Sequence, residues 1–133
     1  MEIKEYQTYR ADEIRQLYAA VGWSAYTDNM TALKTGFQNS LLVLAAYEGD
    51  ALCGLLRAVG DGATIVFIQD ILVDPKMQRR GVGTALVRAL LDRYASVRQI
   101  ELLTDNTEKT KAFYRSLGFA PAEDIGCLAF IRM

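Results

Sequence analysis

The feature that most constrains the fold lies past the middle of the chain, where strand-like patterning gives way to helical patterning across a proline and two glycines. Thr64–Val73 is a strand-like apolar run, and Asp74-Pro75 ends it because proline offers no N–H to a β-ladder. Beyond Gly81, the residues Val82, Leu86, Leu90 and Tyr94 recur every four positions, flanked by Val87 and Leu91. Gln99–Thr104, with Ile100, Leu102 and Leu103, is strand-like again. A strand–helix–strand connection of this kind joins parallel strands. The preceding runs are Leu41–Tyr47, Ala51–Val59 and Thr64–Val73. Their turns, Glu48-Gly49-Asp50 and Gly60-Asp61-Gly62, predict an antiparallel meander. The sheet should therefore be mixed and the fold class α/β.

The first segment is helical. Ile14, Leu17, Tyr18 and Val21 form one stripe, Gly22 is positioned as the C′ residue, and Trp23 can pack back onto Tyr18. A second helix is expected from about Asp28 to Gln38 with Met30, Leu33 and Phe37 inward, although Gly36 weakens it by about 1 kcal/mol relative to alanine. Late in the chain, Asn106–Leu117 reads as a helix with Asp105 and Glu108 spaced as a capping box, and Gly118-Phe119 as its ending. Cys127–Ile131 is expected to close the chain as a strand. With 133 residues, two prolines and no repeat or linker-like stretch, residues 1–133 should form a single domain.

Composition excludes several chemistries. The chain has no histidine, which removes Ser-His-Asp and Cys-His catalysis and every histidine-containing metal site; no metal is expected. Cys53 and Cys127 are too few for an all-cysteine zinc site, and each sits in an apolar segment where a buried thiol is expected. Fifteen basic and sixteen acidic side chains leave a formal charge of −1, so nothing suggests nucleic acid as a partner. No apolar run approaches the roughly 20 residues of a membrane span, and the first residues lack a signal-peptide pattern. The expectation is a cytoplasmic protein with no membrane partner.

Positive charge does concentrate once, in Lys76-Met77-Gln78-Arg79-Arg80-Gly81-Val82-Gly83-Thr84, between the third strand and its helix. Glycines there allow a sharp turn that brings backbone N–H groups close to a ligand, and a helix start adds free donors and a positive dipole end. A diphosphate fits such a loop; a plain strand–helix turn with solvated arginines is the other reading. A Rossmann fingerprint is absent, since Leu86 stands where the third glycine belongs, and no Gly-Lys dipeptide exists for a Walker A loop.

Gln78-Arg79-Arg80-Gly81-Val82-Gly83 resembles the Q/R-x-x-G-x-G/A acetyl-CoA loop of the GNAT superfamily of N-acetyltransferases. Asn106 and Ala112-Phe113-Tyr114-Arg115-Ser116-Leu117-Gly118-Phe119 are similar to that family's late helix and its ending. The order of elements also agrees, and the likeness is to compact bacterial members. The resemblance implies a three-layer fold, with a mixed central sheet and helices on both faces. It also implies that amides from Gln78, Arg79, Arg80, Gly81, Val82, Gly83 and Thr84 hold the coenzyme pyrophosphate. Ile71, Leu72 and Val73 would pair with the pantetheine arm as an added strand does, and Asn106 would contact the same arm or simply cap its helix.

The implied reaction is direct attack of a primary amine on acetyl-CoA within a ternary complex. A free amine with a pKa near 10 must lose a proton first, and the departing thiolate must gain one. Tyr114 matches the family's tyrosine and is the candidate donor to the thiolate; as a residue on an apolar stripe it is otherwise a core aromatic. Asp70, acidic within an apolar strand, is either the base or a partner of Arg57. Glu101 ranks behind it. Trp23, Tyr26 and Arg57 are the candidates to bind the acceptor, with Phe37 and Asp61 nearby. The acceptor is expected to be a small-molecule amine, with a protein amine as the wider alternative and a homodimer as an expected assembly. A catalytically idle acyl-CoA-binding regulatory module is the competing reading of the same motifs.

Overall fold

The computed structural model describes residues 1–133, and these fall into two compact units, Met1–Leu103 and Thr104–Met133. In chain order the first contains β1 (Glu2–Glu5), α1 (Ala11–Ala20), α2 (Ser24–Thr27), α3 (Met30–Gln38), β2 (Leu42–Glu48), β3 (Ala51–Gly60), β4 (Ile65–Val73), α4 (Val82–Arg93) and β5 (Gln99–Leu102). Its five strands form one sheet in the order β1-β2-β3-β4-β5. The first three pairings are antiparallel and β4 runs parallel to β5, so the mixed α/β sheet expected from the crossover is present.

Alternation along β3 puts helices on both faces. Leu55 joins Val43 and Leu72 beneath Ile14, Leu17 and Tyr18 of α1 and Leu33 and Phe37 of α3. Its neighbour Gly54 points the other way, as successive strand residues do, and meets α4. A Cβ there would lie 2.7 Å from Val82 Cγ1 and 3.3 Å from Leu86 Cδ1, so glycine lets the helix lie close on the sheet.

One bulge matters for the site. Arg57 pairs with Asp70 and Ala58 with Ile68, which leaves Gln69 as an extra residue in β4. Arg57 and Ala58 face opposite sides of the sheet, so the bulge switches β4 from presenting Ile68 towards α4 to presenting Asp70 and Leu72 towards α1 and α3.

The helix predicted from about Asp28 to Gln38 forms as α3, beginning at Met30, and a separate four-residue helix, α2, precedes it. Asn29 takes an extended φ of −142° and its side chain accepts the Ala32 N–H, capping α3 and separating it from α2. α1 ends as expected: Gly22 has φ +79°, its N–H bonds Ala19 O, and the Trp23 N–H reaches back to Tyr18 O, with the Trp23 ring 6.0 Å from that of Tyr18.

In the second unit, α5 (Glu108–Ser116) starts from Thr107, not from the predicted capping box, because the Thr107 hydroxyl already accepts the Thr110 N–H. It closes with the same device as α1: Gly118 has φ +91°, and Phe119 donates to Tyr114 O and packs on its ring at 5.9 Å. A short 3₁₀ turn, Ala122–Ile125, follows. The predicted strand at Cys127–Ile131 does not form; a strand needs a neighbour to bond to, and this unit contains no other. Cys127 is accordingly exposed, against expectation, whereas Cys53 is buried and its thiol donates to Ala46 O. No helix is long and apolar enough to cross a membrane.

Candidate active site

β4 is paired on both sides for only part of its length. Its bonds to β5 run from Ile65–Gln99 to Ile68–Leu102 and stop, while β3 continues alongside to Val73. Gln69–Val73, including the predicted Ile71, Leu72 and Val73, therefore offers an unpaired backbone edge beyond the end of β5.

That edge runs straight into the basic loop. Asp74 donates its N–H to Cys53 O and accepts the Lys76 N–H with its side chain, turning the chain through a 3₁₀ step at Pro75–Met77. Gln78 donates its side-chain amide to Val73 O at 3.4 Å. Arg79 has φ +67°, the single non-glycine residue of the chain with positive φ, and Gly81 has φ +77°. A left-handed arginine is uncommon, and strain of this kind gathers at ligand clamps. Gly81 serves as N-cap of α4 without any side-chain cap, and the first bond of the helix is Ala85 N–H to Gly81 O. The N–H groups of Val82, Gly83 and Thr84 thus have no helical acceptor. Lys76, Arg79 and Arg80 stand exposed around them. Together these give an anion cradle of backbone donors and dipole with loose cations at its rim.

Across the sheet lies a closed polar cluster. Asp70 is 2% exposed; its Oδ2 accepts Arg57 Nε at 2.8 Å and the Tyr18 hydroxyl at 2.9 Å, and its Oδ1 accepts the Tyr26 hydroxyl at 2.8 Å. The Gln69 side-chain amide donates to the Tyr26 oxygen at 3.2 Å. Arg57, 6% exposed, also reaches the Ser40 hydroxyl and lies over the Phe37 ring. Burial by itself would lower the Arg57 pKa, but the Asp70 charge and hydrogen bond more than offset it, and the net direction is upward. Burial first, then the Asp70 carboxylate, hold the Tyr18 phenol far above its usual range. Tyr26 is raised chiefly by burial, with the Gln69 bond opposing and Asp70 adding.

Of the residues expected at the acceptor site, Tyr26 and Arg57 meet on Asp70, and the Trp23 ring stands 6.1 Å from that of Tyr26. Asp70 adopts the Arg57 pairing, one of its two predicted readings. Glu101 is exposed on β5. Tyr114 and Asn106 belong to the second unit. Tyr114 is buried between Phe113 and Phe119, and burial raises its pKa, partly offset by the Thr104 hydroxyl. Asn106 is exposed one residue ahead of the Thr107 cap, so it does not cap the helix itself.

Three members of the polar cluster escaped the sequence reading: Tyr18, Gln69 and Ser40. Tyr18 was visible only as part of an apolar stripe, although a buried phenol needs an acceptor and a strand aspartate needs donors. The same logic explains Gly36. A Cβ there would stand 3.0 Å from Arg57 Nη1, so the helix-weakening glycine makes room for the guanidinium.

The family model described as Acetyltransferase (GNAT) domain matches residues 39–121. A solved structure of a GNAT family acetyltransferase from Streptococcus pneumoniae TIGR4 is 36% identical. It superposes with a TM-score of 0.90 over 99% of this chain and 96% of that one. GCN5-related N-acetyltransferase 1, chloroplastic, of Arabidopsis thaliana is 27% identical over 91% of this chain, which spans 62% of that protein's length. An aminoglycoside 6′-N-acetyltransferase solved with coenzyme A shares the fold, with a TM-score of 0.66 at 21% identity over 89% of this chain and 74% of that one. A half-free β4 leading into a glycine-started helix, with a family match that spans both, leaves no ambiguity of kinship: this chain belongs to the GNAT acetyltransferase family.

Proposed function

We propose that the chain moves an acetyl group from acetyl-CoA to a primary amine, with a small molecule as acceptor. The observation that carries this reading is the continuity of an unpaired five-residue strand edge with a loop of unbonded N–H groups. The edge suits an extended amide-bearing arm, and the loop suits the diphosphate beyond it. Gln69–Val73 would take the pantetheine amides, Gly81–Thr84 the pyrophosphate, and Lys76, Arg79 and Arg80 the remaining phosphate charge. The aminoglycoside enzyme's bound coenzyme A supports the same use here.

In the reaction the amine, having lost its proton to solvent, attacks the thioester carbonyl. The new C–N bond forms as the carbonyl π pair moves to oxygen, where a backbone N–H near Val73 stabilises it. The attacking nitrogen, now cationic, releases its remaining excess proton to solvent. Collapse breaks the C–S bond, and the departing sulfur takes a proton, for which the family resemblance nominates the Tyr114 hydroxyl, itself reprotonated from solvent. The phenol, its pKa raised by burial, carries its proton at neutral pH. Asp70 acts by position and not as a base: both oxygens are engaged and Arg57 balances its charge, so it fixes Tyr26 at the acceptor side.

Thiol release from acetyl-CoA across a panel of small amines, protein amines and a no-amine control tests this. Amine-dependent release is expected, falling about ten-fold or more in Tyr114→Phe with coenzyme affinity unchanged. Coenzyme binding without release for any amine would instead establish an idle acyl-CoA-binding module.

A further inference from the structure

The bare edge of β4 opens at Gln69, and the side chain of that residue also touches the polar cluster. Tyr26 gives its own proton to Asp70 Oδ1 at 2.8 Å, so its oxygen can only accept from Gln69, which turns its NH₂ inward at 3.2 Å. Two acceptor positions then remain, the second lone pair of the Tyr26 oxygen and Gln69 Oε1, on a half-buried and an exposed side chain. Both are uncharged. Behind them the charges are closed off: Arg57 on β3 and Asp70 on β4 neutralise each other at 2.8 Å, both buried. Tyr18 of α1 donates to the same carboxylate. The carboxylates of Asp28, at the end of α2, and Glu101, on β5, stand exposed to water.

Resting on the reading of the chain as an acetyl-CoA-dependent amine acetyltransferase, we propose that its acceptor is a weakly basic primary amine, held uncharged by Tyr26 and Gln69. A neutral primary amine has two N–H donors and one lone pair. The two free acceptors take both donors and leave the lone pair for the thioester carbonyl; the excess proton leaves to solvent once the C–N bond has formed. An ammonium has three donors, no lone pair, and a charge that meets no free carboxylate in this cluster, so docking it costs desolvation without a counter-charge. The Trp23 and Tyr26 rings, 6.1 Å apart, offer faces that attract a cation but take no proton from it. The class favoured is the α-amino group of an amino-acid amide, titrating at about 8, over alkylamines at about 10. At pH 7 that difference changes the uncharged fraction about 100-fold. Nucleophilicity falling with basicity, at an exponent of about 0.5 as for thiolates, returns about ten-fold and leaves a net preference of about ten-fold.

The pH profile of kcat/KM for acetyl-CoA thiol release, measured with phenylalanine amide and with phenethylamine, tests the idea. Each acid limb should follow its amine: the first levels at about pH 8, and the second is still rising at about pH 9. Phenylalanine amide should be preferred about ten-fold at pH 7. A limb at one pH shared by both amines would reveal a base on the protein and overturn the proposal, as would a preference for phenethylamine. Gln69→Glu, at an exposed position, adds a counter-charge for the ammonium and should swing the preference about ten-fold towards phenethylamine. An unmoved ratio would place the acceptor elsewhere and overturn the proposal too. In each of these cases thiol release with either amine leaves the acetyltransferase reading standing, whereas no release with any amine removes that reading and the proposal together.

Discussion

Removing the Asp70 carboxylate tests how the sheet tolerates a buried charge. In Asp70→Ala the Arg57 guanidinium, 6% exposed, loses its only carboxylate partner, and breaking a buried pair from one side costs about 3–5 kcal/mol. The Tyr18 hydroxyl, on a side chain with no exposure, loses its acceptor as well, a loss of about 1–3 kcal/mol. These effects share partners and will not add in full, so about 4–5 kcal/mol is expected. A domain of this size holds only about 5–15 kcal/mol in all, so the variant should sit close to unfolding. Asp70→Asn should lose less, because one amide oxygen can still accept while Tyr26 turns to accept from the amide NH₂. The double variant Arg57→Met/Asp70→Leu should recover about 2 kcal/mol or more relative to Asp70→Ala, since no charge is then stranded. Urea unfolding followed by circular dichroism measures all three. A loss below about 1 kcal/mol in Asp70→Ala, or a double variant no more stable than Asp70→Ala, would refute the reasoning.

Two further outcomes follow from the sheet and its turns. Gly54→Ala places a methyl 2.7 Å from Val82 Cγ1 and should cost about 1–3 kcal/mol by urea midpoint, part of it restored by Val82→Ala; a neutral result would mean that α4 shifts freely. The Asp61 carboxylate accepts the Thr64 hydroxyl first and then the N–H groups of Ala63, Thr64 and Ile65, which holds its pKa well below the usual range. A depressed folded pKa contributes stability that is present above about pH 4 and lost as pH falls towards the folded value. The advantage of wild type over Asp61→Asn should accordingly be constant from pH 5 to 7 and shrink below pH 4.

Patterning revealed the meander, the crossover and the two glycine-ended helices because each rests on a local device: a glycine at positive φ, a proline without a donor, an apolar stripe. The loop from Gln78 to Thr84 was legible for the same reason. The bulge at Gln69 was not, since Ile65-Val66-Phe67-Ile68-Gln69-Asp70-Ile71-Leu72-Val73 is apolar towards both faces and shows no break in alternation when a residue is inserted. Without the bulge, Asp70 cannot be assigned to the side of Tyr18, and its partners stay hidden. The strand at Cys127–Ile131 was read from composition alone, which records an appetite for pairing and says nothing of where a partner stands.

The shortness of the open stretch on β4 has its own consequence. Five residues span about 16 Å, enough for one slender extended guest but too little to seed a growing stack of polypeptides. β5 already covers the first part of β4, so a foreign chain finds only these five residues free. The fold can thus keep a binding-competent backbone permanently bare without inviting aggregation.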